Sequence, residues 1–198
     1  MPTPASPSSI AKSTLFKLPP ELRERIYELA LRVEPGYYTV TKEEGIPEPG
    51  LLRTCKIIRH EALYAFYVKN DADLIMQNWD PATMCIFMRI IRALLADPAQ
   101  LSLFADTKYR QNLVGNRDWG NLLLWLQHYH HGDCRAYVYC PTDGQRVNAE
   151  RQLILGLFET TDAMRQVPWK TARAALEHFR SGLTFLKPAW GVDREPTA

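Results

Sequence analysis

The sequence has no long uninterrupted apolar run, no excess of charge of one sign, few cysteines and none of the short motifs that announce a reaction. The longest strongly apolar stretch, Met84–Leu95, is broken by Arg89 and Arg92. It falls well short of the roughly 20 residues that span a bilayer, so a soluble protein without membrane partners is expected. Lys and Arg number 24 against 22 Asp and Glu, a net charge of +2, and no overall field draws in nucleic acid or an anionic surface. Four cysteines, with no secretory apolar region ahead of them, suit reduced thiols in a cytoplasmic or nuclear protein rather than a disulfide scaffold. There is no P-loop, no G-x-S-x-G, no dinucleotide-binding glycine pattern and no H-E-x-x-H, and Gly115 and Gly120 stand alone. No internal repeat is evident either. These absences argue against an enzyme and leave no cofactor to name.

What is present is globular. Apolar residues make up 46% of the chain and charged residues 23%, too apolar for disorder and sufficient for a core without staples. Residues 1–14, rich in Pro, Ser and Thr, read as a disordered tail. Residues 187–198, with Pro188 and Pro196, read as a frayed one. Between them residues 15–186 are expected to form a single globular domain, mainly α with a small β component (α+β).

Leu15–Leu31 reads as a helix entered at Pro19-Pro20, since Pro pre-sets φ and its missing N–H would be an orphan there. Leu22, Ile26, Leu29, Ala30 and Val33 recur at helical spacing and are expected to face inward. That leaves Arg23, Arg25, Tyr27 and Glu28 accessible. Pro35-Gly36 ends the helix, Tyr37–Val40 has the composition of a short exposed strand, and Glu43–Gly50 reads as a turn-rich loop. A second helix from near Gly50 to Tyr67 buries Leu51, Leu52, Cys55, Ile58, Ala62 and Phe66 and turns Arg53, Lys56, Arg59 and His60 outward. Asp73–Gln77 follows as a short strand.

Asp80-Pro81 starts a central helix, Ala82–Ala96, that is apolar nearly all round. A short helix is expected near Leu101–Ala105, then a loop to Val114. Asp118–His130 reads as a helix, Arg135–Cys140 as the best strand in the chain, and Pro141–Gly144 as a turn. Asn148 caps a helix to about Met164, and Pro168 opens the last one.

The two opening helices carry a pattern. Leu18, Pro19, Glu21, Leu22, Arg23, Ile26 and Tyr27 are followed by Leu51, Leu52, Cys55, Ile58, Glu61, Ala62, Phe66 and Tyr67. The chain here resembles fungal F-box-like proteins, and is similar to the fungal family named for two Glu-x-Arg motifs. The likeness covers about 60 of 198 residues, within an F-box-like region 15–78 ahead of a helical part, 79–186. The opening helix pair is expected to pack on the central apolar helix. For a true F-box the resemblance implies that this pair docks the adaptor subunit of a cullin–RING ubiquitin ligase while the rest of the chain recruits a substrate. The interval Val33–Gly50 is longer than an F-box turn, and a basic-aromatic third helix is not evident, so the resemblance is to the wider F-box-like group.

The function expected is a non-catalytic protein–protein interaction module with protein partners, a ubiquitin-ligase adaptor among them. The polar face with Arg23, Arg25, Tyr27 and Glu28 would be its contact surface. Two alternatives stay open: a nucleic-acid-associated module using the basic second helix, and an enzyme with an unrecognised site. Arg23 and Glu61 are expected to pair across the helices. His128, His131 and Cys134 are metal candidates by residue type, but the spacing H-x-H-H-x2-C-x5-C matches no common zinc site. Cys55 and Cys85 fall on inward faces and read as inert core thiols. Trp169 or Trp190, if exposed, would be an interface anchor.

Overall fold

Each long helix begins where its capping residues place it. The computed structural model describes residues 13–94, 109–137 and 148–192. Pro20 opens α1 (Pro20–Ala30), and β1 (Tyr37–Val40), α2 (Lys56–Tyr67), β2 (Asp71–Gln77) and α3 (Ala82–Leu94) follow. Then come β3 (Tyr109–Val114), α4 (Trp119–His130), α5 (Ala149–Ala163) and α6 (Trp169–Leu186). Asp118 Oδ1 accepts the Asn121 amide and Asn148 Oδ1 the Arg151 amide, each at 2.9 Å, while the Cys55 thiol accepts from Ile58 at 3.5 Å. Each satisfies an amide that the first helical turn leaves unpaired. The strands pair in the order β1-β2-β3, so the fold is a helix-rich α+β arrangement with one small sheet. No described helix is long and apolar enough to cross a membrane.

Several expectations lie outside the described residues: the tail over 1–12, the helix end at 95–96, the helix near Leu101–Ala105, the strand end 138–140, the turn Pro141–Gly144 and residues 193–198. Others are corrected. A strand, β3, stands at Tyr109–Val114 where a loop is expected. Residues 135–137 are not strand, and two of their carbonyls are instead held by side chains: Trp125 Nε1 donates to Arg135 O and Gln111 Nε2 to Ala136 O, both at 2.9 Å. β1 is not an exposed strand, since Tyr38 and Val40 are buried. The first 3-10 turn, Thr14–Lys17, takes up the end of the expected tail.

The chain divides into two compact units. The first comprises Met1–Tyr38, Pro47–Ala72 and Ala93–Tyr109. In it α1 packs on α2, and Tyr27, Leu31, Tyr38, Leu52, Ala62, Phe66 and Tyr67 are buried. The Tyr38 ring stacks on Phe66 at 5.1 Å, and Tyr67 meets Phe66 edge-on at 4.9 Å, both favoured aromatic geometries. Asn70, buried just past α2, closes both helices. Its Nδ2 donates to Leu31 O and to Phe66 O, each at 3.0 Å, and its Oδ1 accepts the Val33 amide at 3.0 Å. One side chain thus meets backbone groups that two helix ends leave open.

The second unit comprises Thr39–Ile46, Asp73–Arg92 and Arg110–Ala198. Here α4, α5 and α6 pack pairwise around Trp79, Trp125, Phe158 and Trp190. Trp79 lies 5.2 Å from Trp190 and 6.2 Å from Trp125, centroid to centroid. To reach them the chain turns through left-handed backbone at Asn78 (φ 50°) and Trp79 (φ 67°), conformations costly for residues with a Cβ. Hydrogen bonds hold the turn: Asn116 N donates to Asn78 Oδ1 at 2.8 Å and Asn121 Nδ2 to Asn78 O at 2.9 Å. A Cβ at Gly115 would stand 2.5 Å from Asn78 Oδ1, so glycine is required there.

α3 is amphipathic rather than apolar all round. Met84, Phe87, Met88 and Ile91 are buried, whereas Arg89 and Arg92 are exposed. The segment after Leu186 is not frayed. Pro188–Gly191 makes a 3-10 turn that buries Trp190 completely, and Trp190 Nε1 donates to Glu150 Oε1 at 2.9 Å. Glu150 also receives Arg117 at 3.0 Å and Lys187. Burial works to raise the Glu150 carboxyl pKa, but the bonds from Arg117, Lys187 and Trp190 prevail and lower it.

Candidate partner-binding site

α1 turns inward the face that reads as polar. Arg23 forks onto Glu61 of α2, with Nε 2.9 Å from Oε2 and Nη2 2.6 Å from Oε1. Its Nη1 donates to Leu18 O at 2.8 Å, and the Tyr27 hydroxyl donates to Glu61 Oε2 at 2.9 Å. The Arg23–Glu61 partnership expected from the sequence therefore forms as a bidentate pair. A carboxylate between packed helices is tolerable only with such donors. The Arg23 hydrogen bond, opposed by burial and aided by Tyr27, holds Glu61 below the usual carboxylate range. Burial, reinforced by the bond to Glu61, pushes the Tyr27 phenol up to about 12.

Two of the four residues expected to be accessible are therefore engaged inside. Tyr27 is 1% exposed, and the Arg23 guanidinium is committed to Glu61. Arg25 is exposed and pairs with Glu28 at 2.9 Å. Lys69 stands 3.7 Å from the same carboxylate.

The expected inward stripe is the outer face. Leu22, Ile26 and Leu29 are 52%, 40% and 61% exposed, and their i, i+4, i+7 spacing puts them on one side of α1. Among the second-helix motif residues, Leu52, Ala62, Phe66 and Tyr67 are buried, while Leu51, Cys55, Ile58 and Glu61 are half-buried. Pro19 and Glu21 are exposed and Leu18 is half-buried. Tyr67 also anchors the long connection, its hydroxyl donating to Pro47 O at 3.2 Å.

The other candidates are distributed over the molecule. Arg53, Lys56, Arg59 and His60 are exposed as expected, and Arg59 is taken by Glu48 at 2.6 Å. His131 is exposed, His128 Nδ1 lies 3.2 Å from Asp133 Oδ2, and Cys134 is buried. Among the described residues no group of three or more His, Cys, Asp or Glu is placed to hold a metal ion. Trp169 is half-buried and Trp190 fully buried, so Trp190 is not an anchor. Cys55 and Cys85 are half-buried rather than core thiols. No family model matches the chain, and no curated protein or solved structure does so either.

Proposed function

We propose that the chain is a non-catalytic protein–protein interaction module of the F-box-like kind, in which the outer face of α1 docks the adaptor subunit of a cullin–RING ubiquitin ligase. The supporting observation is the solvent-facing line of Leu22, Ile26 and Leu29. Aliphatic side chains aligned on one exposed helix face are a mark of an interaction surface. Full burial of such a side chain is worth about 1.5–3 kcal/mol, so covering three that are half exposed contributes about 2–4 kcal/mol. Micromolar binding needs about 8 kcal/mol. The partner must therefore also engage the rim, where Arg25 is exposed. The resemblance of the opening helices to F-box-like proteins supplies the class of partner.

Calorimetric titration of the purified chain with adaptor bound to cullin tests this. Saturable binding is expected, weakened about tenfold or more by Ile26→Asp, a change on an exposed position that leaves the circular dichroism spectrum intact. If the wild-type chain shows no binding, the ligase assignment is wrong. If binding survives Ile26→Asp and Leu22→Asp together, the α1 face is not the site.

A further inference from the structure

Docking through α1 makes no use of the thiols of the second unit. Cys85, one turn into α3, opens on a groove of about 550 Å³ that is also lined by Arg89, Arg92, His128 and Asp133. Behind it Cys134 is 4% exposed, its Sγ 3.8 Å from Trp125 O. Its neighbour Asp133 lines the same groove as Cys85, and each thiol influences the ionisation of the other. Arg92 Nη2 donates to Gly132 O at 2.8 Å, which pins the turn carrying Cys134 against α3. A half-exposed thiol in a groove lined by Arg89, Arg92 and His128 as well as Asp133, with a second thiol behind it, is accessible to a small oxidant.

We propose that Cys85 and Cys134 are a peroxide-responsive dithiol, with Cys85 the attacking thiol at the groove and Cys134 the resolving thiol behind it. The Cys85 thiolate attacks one oxygen of hydrogen peroxide. The O–O bond breaks, hydroxide leaves, and Cys85 becomes a sulfenic acid, oxidised by two electrons. The Cys134 sulfur then attacks the Cys85 sulfur, the S–O bond breaks, and the proton of Cys134 leaves with the hydroxide as water. One peroxide and two thiols give one disulfide and two waters.

The charges around the pair suit these roles. The interaction with Cys134 lowers the Cys85 pKa against burial, with His128 helping and Asp133 and Asp80 opposing. The interaction with Cys85 and burial raise that of Cys134 against Arg92, so Cys85 is the more acidic thiol of the two. Oxidation of Cys85 removes its negative charge and with it one cause that holds the proton on Cys134.

Trypsin places all four cysteines on separate peptides: Cys55 on 54–56, Cys85 on 70–89, Cys134 on 118–135 and Cys140 on 136–146. The reduced full-length chain is treated with hydrogen peroxide, alkylated in denaturant and mapped by mass spectrometry without reduction. The expected result is loss of two of the four thiols and a cross-link between peptides 70–89 and 118–135. In Cys134→Ser the cross-link disappears and Cys85 is trapped by dimedone as a sulfenic acid. Four intact thiols in the wild type overturn the proposal, as does a disulfide through Cys55 or Cys140. The wild-type map decides on its own should the variant fail to fold.

Discussion

Asn70 carries the closure of the first unit, and its removal should be felt out of proportion to its size. It is 5% exposed and makes three hydrogen bonds of 3.0 Å, to Leu31 O, Phe66 O and from the Val33 amide. Asn70→Ala deletes all three, together with a longer fourth to Ala65 O at 3.4 Å, and leaves three carbonyls and an amide without their partner. At about 1 kcal/mol net per bond, the loss is about 3 kcal/mol, and it rises if the stranded groups stay dry. That is a large share of a stability of about 5–15 kcal/mol. Asn70→Asp separates the contributions. It keeps an acceptor for Val33 but sets a carboxylate oxygen against the three carbonyls of Leu31, Ala65 and Phe66, so at neutral pH it should cost at least as much as alanine. Urea unfolding followed by far-ultraviolet circular dichroism reads both, with the midpoint falling at an unchanged slope. A loss below about 1 kcal/mol in both variants refutes the assignment of Asn70 as the shared closure of α1 and α2.

Two further outcomes follow from the ionic contacts. Arg23→Ala, Glu61→Ala and their combination should be strongly non-additive in a double-mutant cycle, because either single change strands the other charge; additive losses would show that the pair is incidental. Glu150 has a folded pKa below its ordinary value, so its contribution is full at neutral pH. It begins to fall as pH approaches the unfolded value of about 4.3 and is gone below the lower folded value. Glu150→Gln should therefore flatten the acid limb of a stability-against-pH curve, and an unchanged limb would contradict the shift.

The helices were largely legible because their signals are local. Pro20, Asp118, Asn148 and Pro168 each mark an entry that the structure keeps, since a cap or a fixed φ acts within one turn. The Arg23–Glu61 pair was legible for a related reason: a charge on each of two helices bound to pack needs a partner. What was not legible depends on distant chain. β3 has the half-exposed alternation of a strand in a small sheet, but Tyr109–Val114 reads Tyr-Arg-Gln-Asn-Leu-Val, too polar to announce itself without the neighbour it pairs with. Trp190 follows a proline at the end of the chain and looks like tail, because Glu150 and Trp79, which hold it, lie far back in sequence. The proposed pairing of Cys85 with Cys134 is of the same kind. Nothing within a window of either residue points to the other.

The orientation of α1 shows why periodicity alone misplaces a face. The helix has two lines at helical spacing, Leu22–Ile26–Leu29 and Arg23–Tyr27–Leu31, separated by a single residue step. The first is the more apolar and would be chosen for the core. The second, however, contains the largest ring of the helix, and Tyr27 and Leu31 together are nearly wholly buried. A tyrosine alone can bury 150 Å² or more, so swapping one line for the other changes buried apolar area little. The polar bonds decide. Only the second line reaches Glu61 with Arg23 and Tyr27 and the Leu18 carbonyl with Arg23, and turning the helix by one step forfeits four hydrogen bonds, three of them to a carboxylate. Charged and phenolic side chains bury their stems readily while keeping such bonds. An aliphatic line left in water costs less than a carboxylate left between helices without a cation, and that difference is why Leu22, Ile26 and Leu29 remain outside.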